Sequence, residues 1–149
     1  MPEDNLIIEK MTLSDIPEVV TIERESFSDP WEEESFLFDL NNEKAYPLVT
    51  KIAGRVVGYI CLWIVLDEMQ IANIAVSKEY RRQGIGEKLL NYILALAQES
   101  KCQEISLDVR KSNISALKLY EKLGFEKKGR RKNYYRFPQE DALILVKEL

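Results

Sequence analysis

The stretch IANIAVSKEYRRQGIGEKLL, residues 71–90, decides how the rest of the chain is read. Residues 71–76 have the apolar, β-branched character of a strand ending at Val76, and a polar loop follows. From Gly84 to Glu99 the residues Ile85, Leu89, Leu90, Ile93, Leu96 and Ala97 recur at helical spacing, so the loop feeds a long helix. A strand, a loop and a glycine-rich helix start gather unpaired backbone amides at the positive end of a helix dipole, which is a cradle for an anion. Gly84 and Gly86 keep side chains out of its way, while Arg81 and Arg82 add charge. The same glycines also suit a tight turn that only packs on a sheet, and spacing alone leaves both readings open. The dinucleotide fingerprint is excluded because GIGEKL lacks its third glycine, and GxxxxGK[ST] occurs nowhere in the chain.

Upstream of that stretch, Asn5–Met11 reads as a strand. Thr12 with Asp15 reads as a helix-start signal, and Ile16, Val19, Val20, Ile22 and Phe27 form the stripe of a first helix. Ser28 or Asp29 is expected to cap a second helix, entered through Pro30 and Trp31 and running to Leu40. Leu48–Ala53, a Gly54-Arg55 turn and the apolar run 56–66 read as a hairpin, followed by a strand over Met69–Val76. Downstream, Ile105, Leu107 and Val109 alternate with Glu104, Ser106, Asp108 and Arg110, a strand with one buried face. Ser112 or Asn113 opens a helix through Leu123 that Gly124 stops, and 125–136 and 142–148 close the chain as strands. This order predicts an α/β (α+β) fold in which a mixed sheet of about seven strands carries helices on its faces. No repeat or linker divides the chain, so residues 1–149 are expected to form a single domain.

The bulk numbers narrow the chemistry. A formal charge of −4, from 21 basic and 25 acidic residues, argues against a general nucleic-acid binder, so any phosphate site must be local. The N-terminus lacks the basic start and apolar run of a secretory signal, and 56–66 is too short to span a bilayer. A cytoplasmic protein without a membrane segment is expected, as a monomer or weak homodimer. Cys61 and Cys102, without CxxC spacing, read as reduced thiols, and no metal site is indicated. The chain has no histidine, which removes Ser-His-Asp and Cys-His machinery and imidazole bases. Proton transfer falls to carboxylates, tyrosines, lysines, thiols or water.

Arg81-Arg82-Gln83-Gly84-Ile85-Gly86 resembles the (Q/R)xxGx(G/A) acyl-CoA loop of the Gcn5-related N-acetyltransferase (GNAT) superfamily, again preceded by a strand, here Asn73-Ile74-Ala75-Val76. Residues 113–125, NISALKLYEKLGF, are similar to that superfamily's N..A..LYE..GF helix. FSDPW at 27–31, NIAV at 73–76, DVRKSN at 108–113 and RKNYY at 131–135 followed by EDA at 140–142 resemble, more narrowly, the bacterial ribosomal-protein-alanine N-acetyltransferases, the RimI type. The resemblance covers essentially the whole chain. It implies a mostly antiparallel twisted sheet in which the strand carrying 74–76 and the parallel strand 104–109 splay apart, with pantetheine between them. It further implies acetyl-CoA as co-substrate and, as acceptor, the N-terminal α-amino group of a protein, in particular an alanine of a small-subunit ribosomal protein.

By the same resemblance Ile74, Ala75 and Val76 meet the pantetheine arm, Arg81, Arg82, Gln83, Gly84, Ile85 and Gly86 surround the pyrophosphate, and Asn113 lies near the sulfur. Tyr120 matches the general acid that protonates the departing thiolate; spacing alone, with Leu117 and Leu123, favours a core aromatic with its hydroxyl satisfied, and the motif reverses that preference. Asp108 stands where the RimI type usually has glutamate, so a carboxylate one methylene shorter is expected to work through water. A solvated strand-end carboxylate paired with Arg110 is the competing reading. Glu25, at the end of the first helix, is the reserve base on the acceptor side, and Tyr134 and Tyr135 resemble the segment that closes over the acceptor. The basic run 127–132 and Glu32–Glu34 read as solvated charge. A small-molecule amine acetyltransferase and a non-catalytic acyl-CoA-binding module are the alternative functions.

Overall fold

A computed structural model describes residues 5–149. Strands β1 (Leu6–Lys10), β2 (Ala45–Ile52), β3 (Arg55–Val65), β4 (Glu68–Val76), β5 (Glu104–Arg110), β6 (Glu126–Arg136) and β7 (Gln139–Glu148) make one sheet in the order β1-β2-β3-β4-β5-β7-β6. Every neighbouring pair is antiparallel except β4 and β5, which run parallel. Helices α1 (Ile16–Ser26), α2 (Glu33–Leu40), α3 (Ile85–Glu99) and α4 (Ile114–Lys122) complete the fold.

The sheet buries both faces, which is why β3 reads as an unbroken apolar run rather than an alternation. On one face Ile85, Leu89, Leu90 and Ile93 of α3 pack with Tyr120 of α4 onto Ile60, Leu62, Met69, Ile105 and Leu107. On the other, Val19 and Ile22 of α1 and Phe36 of α2 pack onto Val49, Tyr59 and Cys61. Cys61 and Cys102 are free and buried. Gly124, at φ +95, follows the last turn of α4, where the left-handed backbone ends a helix.

The second helix differs from expectation. Its first residue is Glu33, preceded by Glu32 in an extended conformation, and neither Ser28 nor Asp29 caps it. Pro30 disfavours helical backbone at Asp29, and the Trp31 N–H is instead donated to the Glu23 carboxylate of α1 at 2.8 Å. The Trp31 ring packs on Phe36, centroid to centroid 5.2 Å, so residues 27–32 form a connection pinned from below.

The parallel pair is short. Register runs only from Glu68 opposite Glu104 to Ile71 opposite Leu107, although both strands continue beyond it. The cause lies on the other edge of β4, where Cys61 pairs with Asn73 and Leu62 with Ile71, leaving Ala72 as an unpaired extra residue. A bulge of this kind bends its strand and increases the twist, turning β4 away from β5 after Ile71. It also reverses which side chains face which core. Met69 and Ile71 face α3, but beyond the bulge Ile74 and Val76 do so, while Ala75 packs on the α1 side. Backbone groups on the β5 side of residues 72–76 are thus left without a strand partner.

Candidate active site

The wedge between β4 and β5 points at the start of α3. Lys88 N–H to Gly84 O is the first bond of that helix, so the amides of Ile85, Gly86 and Glu87 have no carbonyl within it, and no side chain caps them. Arg82 at φ +63 and Gly84 at φ +79 curl the preceding loop into the left-handed region, turning its backbone toward the same point. A Cβ on Gly86 would meet only Leu119 Cδ2 at 3.8 Å and Val76 Cγ2 at 4.0 Å, so no internal contact demands glycine there. An amide cluster at a dipole terminus with side-chain-free approach fits a pyrophosphate, and the edge of residues 72–76 that lacks a strand partner, Val76 O alone being taken by Arg81, fits the amides of an extended arm.

Arg82 and Gln83 are exposed beside this cluster. Arg81 is exposed as well, but its guanidinium is engaged: it donates to Val76 O and to Ser26 Oγ, each at 3.0 Å, tying the loop to the end of α1. Asn113 caps α4, its side-chain oxygen accepting from Ala116 N–H at 3.3 Å, which leaves its NH2 uncommitted.

Tyr120 is buried, edge-on to Phe125 at 5.5 Å. Among the described residues its hydroxyl pairs with no protein group, and it is not sealed from solvent as Thr50 Oγ1 is. Burial, with Tyr135 nearby, pushes its phenol well above the ordinary value. Tyr135 is itself pushed up to about 12 by burial and then by the Asp108 charge, so the two tyrosines and Asp108 share one electrostatic neighbourhood.

Asp108 lies on the polar face of β5 as the alternation predicts. Its partner, however, is Arg131 of β6, whose Nε is 3.3 Å from both carboxylate oxygens. Arg131 is opposite Ala142 on β7, and this small side chain lets the guanidinium reach across β7 to β5. Arg110, the partner expected from sequence, turns instead to Glu140 at 3.1 Å and to the carbonyls of Pro138 and Phe137, with its guanidinium 4.2 Å from the Tyr135 ring centroid. Tyr134 is exposed next to Tyr135.

The 27–32 connection borders the same opening, because Ser28 Oγ donates to Phe137 O in the β6–β7 turn. Glu25 is exposed on α1 without a hydrogen bond among the described residues. The inward carboxylate of that turn is Glu23, which accepts from Tyr59 OH, from Asn73 Nδ2 at 2.6 Å and from Trp31 N–H. Its signal was present in the sequence, since position 23 falls on the Ile16, Val19, Phe27 stripe where a carboxylate is out of place. A separate hollow of about 670 Å³ runs beside α2, lined by Leu37, Phe38, Asn41 and Lys44 among others, and shares no residue with the wedge. Among the described residues no metal-ligand cluster occurs and no helix is long and apolar enough to cross a membrane.

Residues 16–125 match the model of the acetyltransferase (GNAT) family. A Bacillus subtilis (strain 168) protein, provisionally assigned as a [ribosomal protein bS18]-alanine N-acetyltransferase, is 44% identical over 139 residues, covering 93% of this chain and 92% of its own. The [ribosomal protein bS18]-alanine N-acetyltransferase of Escherichia coli (strain K12) is 33% identical over 141 residues, with 93% and 95% covered. Among solved structures, the ribosomal-protein-S18-alanine N-acetyltransferase from Escherichia coli superposes with TM-score 0.90 at 32% identity, over 96% of this chain and 93% of that one.

Proposed function

The chain belongs to the acetyltransferase (GNAT) family, an acyltransferase, and we propose that it moves the acetyl group of acetyl-CoA to the N-terminal alanine amine of ribosomal protein bS18. Residues 1–149 act as one catalytic domain. The observation that carries the reading is the β4–β5 wedge, with free amides at the start of α3 and with Asp108 on β5 just beyond the last paired residue, Leu107. Acetyl-CoA supplies the activated acyl group. The amides of Ile85, Gly86 and Glu87 hold its pyrophosphate, the unpaired edge of Ile74–Val76 aligns the arm, and the free NH2 of Asn113 lies toward the sulfur. Asp108, released from Arg131 or acting beside it, takes the amine proton through water, and the unpartnered Tyr120 hydroxyl protonates the thiolate. Tyr134 and Tyr135, with the 27–32 connection, line the acceptor side. Support for the acceptor comes from the bS18-alanine acetyltransferases, which match over more than nine-tenths of this chain.

The test is thiol release and mass gain with acetyl-CoA and a peptide carrying the bS18 N-terminus, alongside the same peptide with its α-amine blocked and a panel of polyamines and aminoglycosides. Acetylation confined to the free N-terminal alanine is expected. Turnover of the small amines with none of the peptide would overturn the reading.

A further inference from the structure

Glu23 is the most completely buried carboxylate described in the protein, at 1% exposure, and no lysine or arginine pairs with it among the described residues. An ion so placed is tolerated only where hydrogen bonds replace its water. Its donors come from three separate segments. Oε1 accepts from Tyr59 OH on β3 and from Asn73 Nδ2 on β4 at 2.6 Å, and Oε2 accepts from Trp31 N–H in the α1–α2 connection at 2.8 Å. Burial and the Glu23 charge both drive the Tyr59 phenol upward, so it remains a donor.

The position of those donors matters more than their number. Asn73 is the first residue after the bulge, on the part of β4 that has left β5. Trp31 closes the connection whose Ser28 reaches the β6–β7 turn. The Glu23 carboxylate therefore clamps one wall of the opening to its floor, and every bond it makes is on the α1 side, away from the amide cluster at α3.

We propose that Glu23 is a positioning residue for acceptor binding: through Asn73 and Trp31 it holds the 27–32 connection in register with the splayed half of β4, so that the acceptor chain meets a preformed slot. The inference rests on the acetyltransferase reading for its kinetic consequence and on geometry alone for the clamp.

Glu23→Gln keeps the shape but puts an NH2 group against donors. Asn73→Ala removes one donor and leaves Glu23 in place. The double variant Glu23→Gln/Asn73→Asp restores the links to residue 73 and Trp31, the glutamine NH2 donating to the new carboxylate while its oxygen accepts from Trp31 N–H; Tyr59 OH, which donated to Glu23 Oε1, is left to the new carboxylate. Three measurements apply: amide hydrogen exchange across 27–32 without any ligand, the acceptor-peptide KM, and the acetyl-CoA Kd. The proposal expects the single variants to exchange at 27–32 at least tenfold faster with β3 and β4 still protected. It also expects acceptor KM to rise about tenfold or more with acetyl-CoA Kd within about twofold, and the double variant to recover most of both effects. Unchanged exchange at 27–32 in a folded Glu23→Gln or Asn73→Ala overturns it, as does faster exchange with acceptor KM unchanged. A uniform loss of protection and of acetyl-CoA binding, unrelieved in the double variant, also overturns it in favour of a purely structural role. If the wild-type protein acetylates no peptide, the functional reading fails by itself and the exchange measurement alone decides the clamp.

Discussion

Replacing Gly86 separates the cradle from the fold with opposite signs. Gly86 sits in the first turn of α3, and its φ is not in the left-handed region, so a side chain is compatible with the backbone. A Cβ there finds only ordinary contacts, 3.8 Å to Leu119 and 4.0 Å to Val76. Gly86→Ala removes backbone freedom from the unfolded chain and improves helix propensity by up to about 1 kcal/mol. For a chain of this size that holds Tm or raises it by roughly 2–4 °C. With a pyrophosphate seated on the amides of Ile85, Gly86 and Glu87, a side chain at position 86 crowds it, and the branched one of Gly86→Val crowds it more. CoA affinity should fall in the order glycine, alanine, valine, with a loss of about tenfold or more at valine, on the order of 1.4 kcal/mol. Titration calorimetry with CoA gives the affinity and thermal denaturation the stability. A folded Gly86→Val protein that binds CoA with unchanged Kd would remove the amide cluster from the cofactor site.

Tyr120→Phe keeps the ring against Phe125 and loses only the hydroxyl, so kcat should drop roughly 100-fold with acetyl-CoA Kd unchanged, while full activity would assign the acid elsewhere. An acid works in its protonated form, and burial holds Tyr120 above its usual value of 10.0, so the wild-type kcat should show no fall on the basic side up to about pH 9. A fall there that disappears in Tyr120→Phe would keep Tyr120 as the acid and refute the raised phenol. Asp108→Asn should lower kcat/KM at neutral pH, with partial recovery as rising pH deprotonates the amine unaided, whereas Asp108→Glu, with longer reach, should keep or raise it. Full kcat/KM in Asp108→Asn from about pH 6 to 9 would exclude Asp108 as the base. Gly58→Ala places a Cβ 3.1 Å from the Ala75 carbonyl oxygen and 3.1 Å from Thr50 Cγ2, and the backbone atom cannot yield. It should cost about 1–3 kcal/mol, read as a lower Tm; an unchanged Tm would show that β3 relaxes there.

Element order, strand and helix periods, and the glycine-rich start of α3 were legible in the sequence because each follows from spacing within one segment. So was the placement of Asp108 on the polar face of β5, which period-two alternation fixes locally. What spacing cannot carry is the pairing between segments. The bulge at Ala72 depends on how β4 registers against β3; it falls where β4 leaves β5, and it swaps the faces of residues 73–76. The partner of Asp108 depends on Arg131 reaching over Ala142 from a strand 23 residues away in sequence. The start of α2 differs for the same reason: Ser28 or Asp29 followed by Pro30 forms a local cap signal, but the Trp31 N–H is claimed by Glu23, eight residues back. Glu23 itself stood in plain view on an apolar stripe. Periodicity marks such a carboxylate as misplaced, and only the folded chain, bringing Tyr59, Asn73 and Trp31 to its oxygens, decides what it holds.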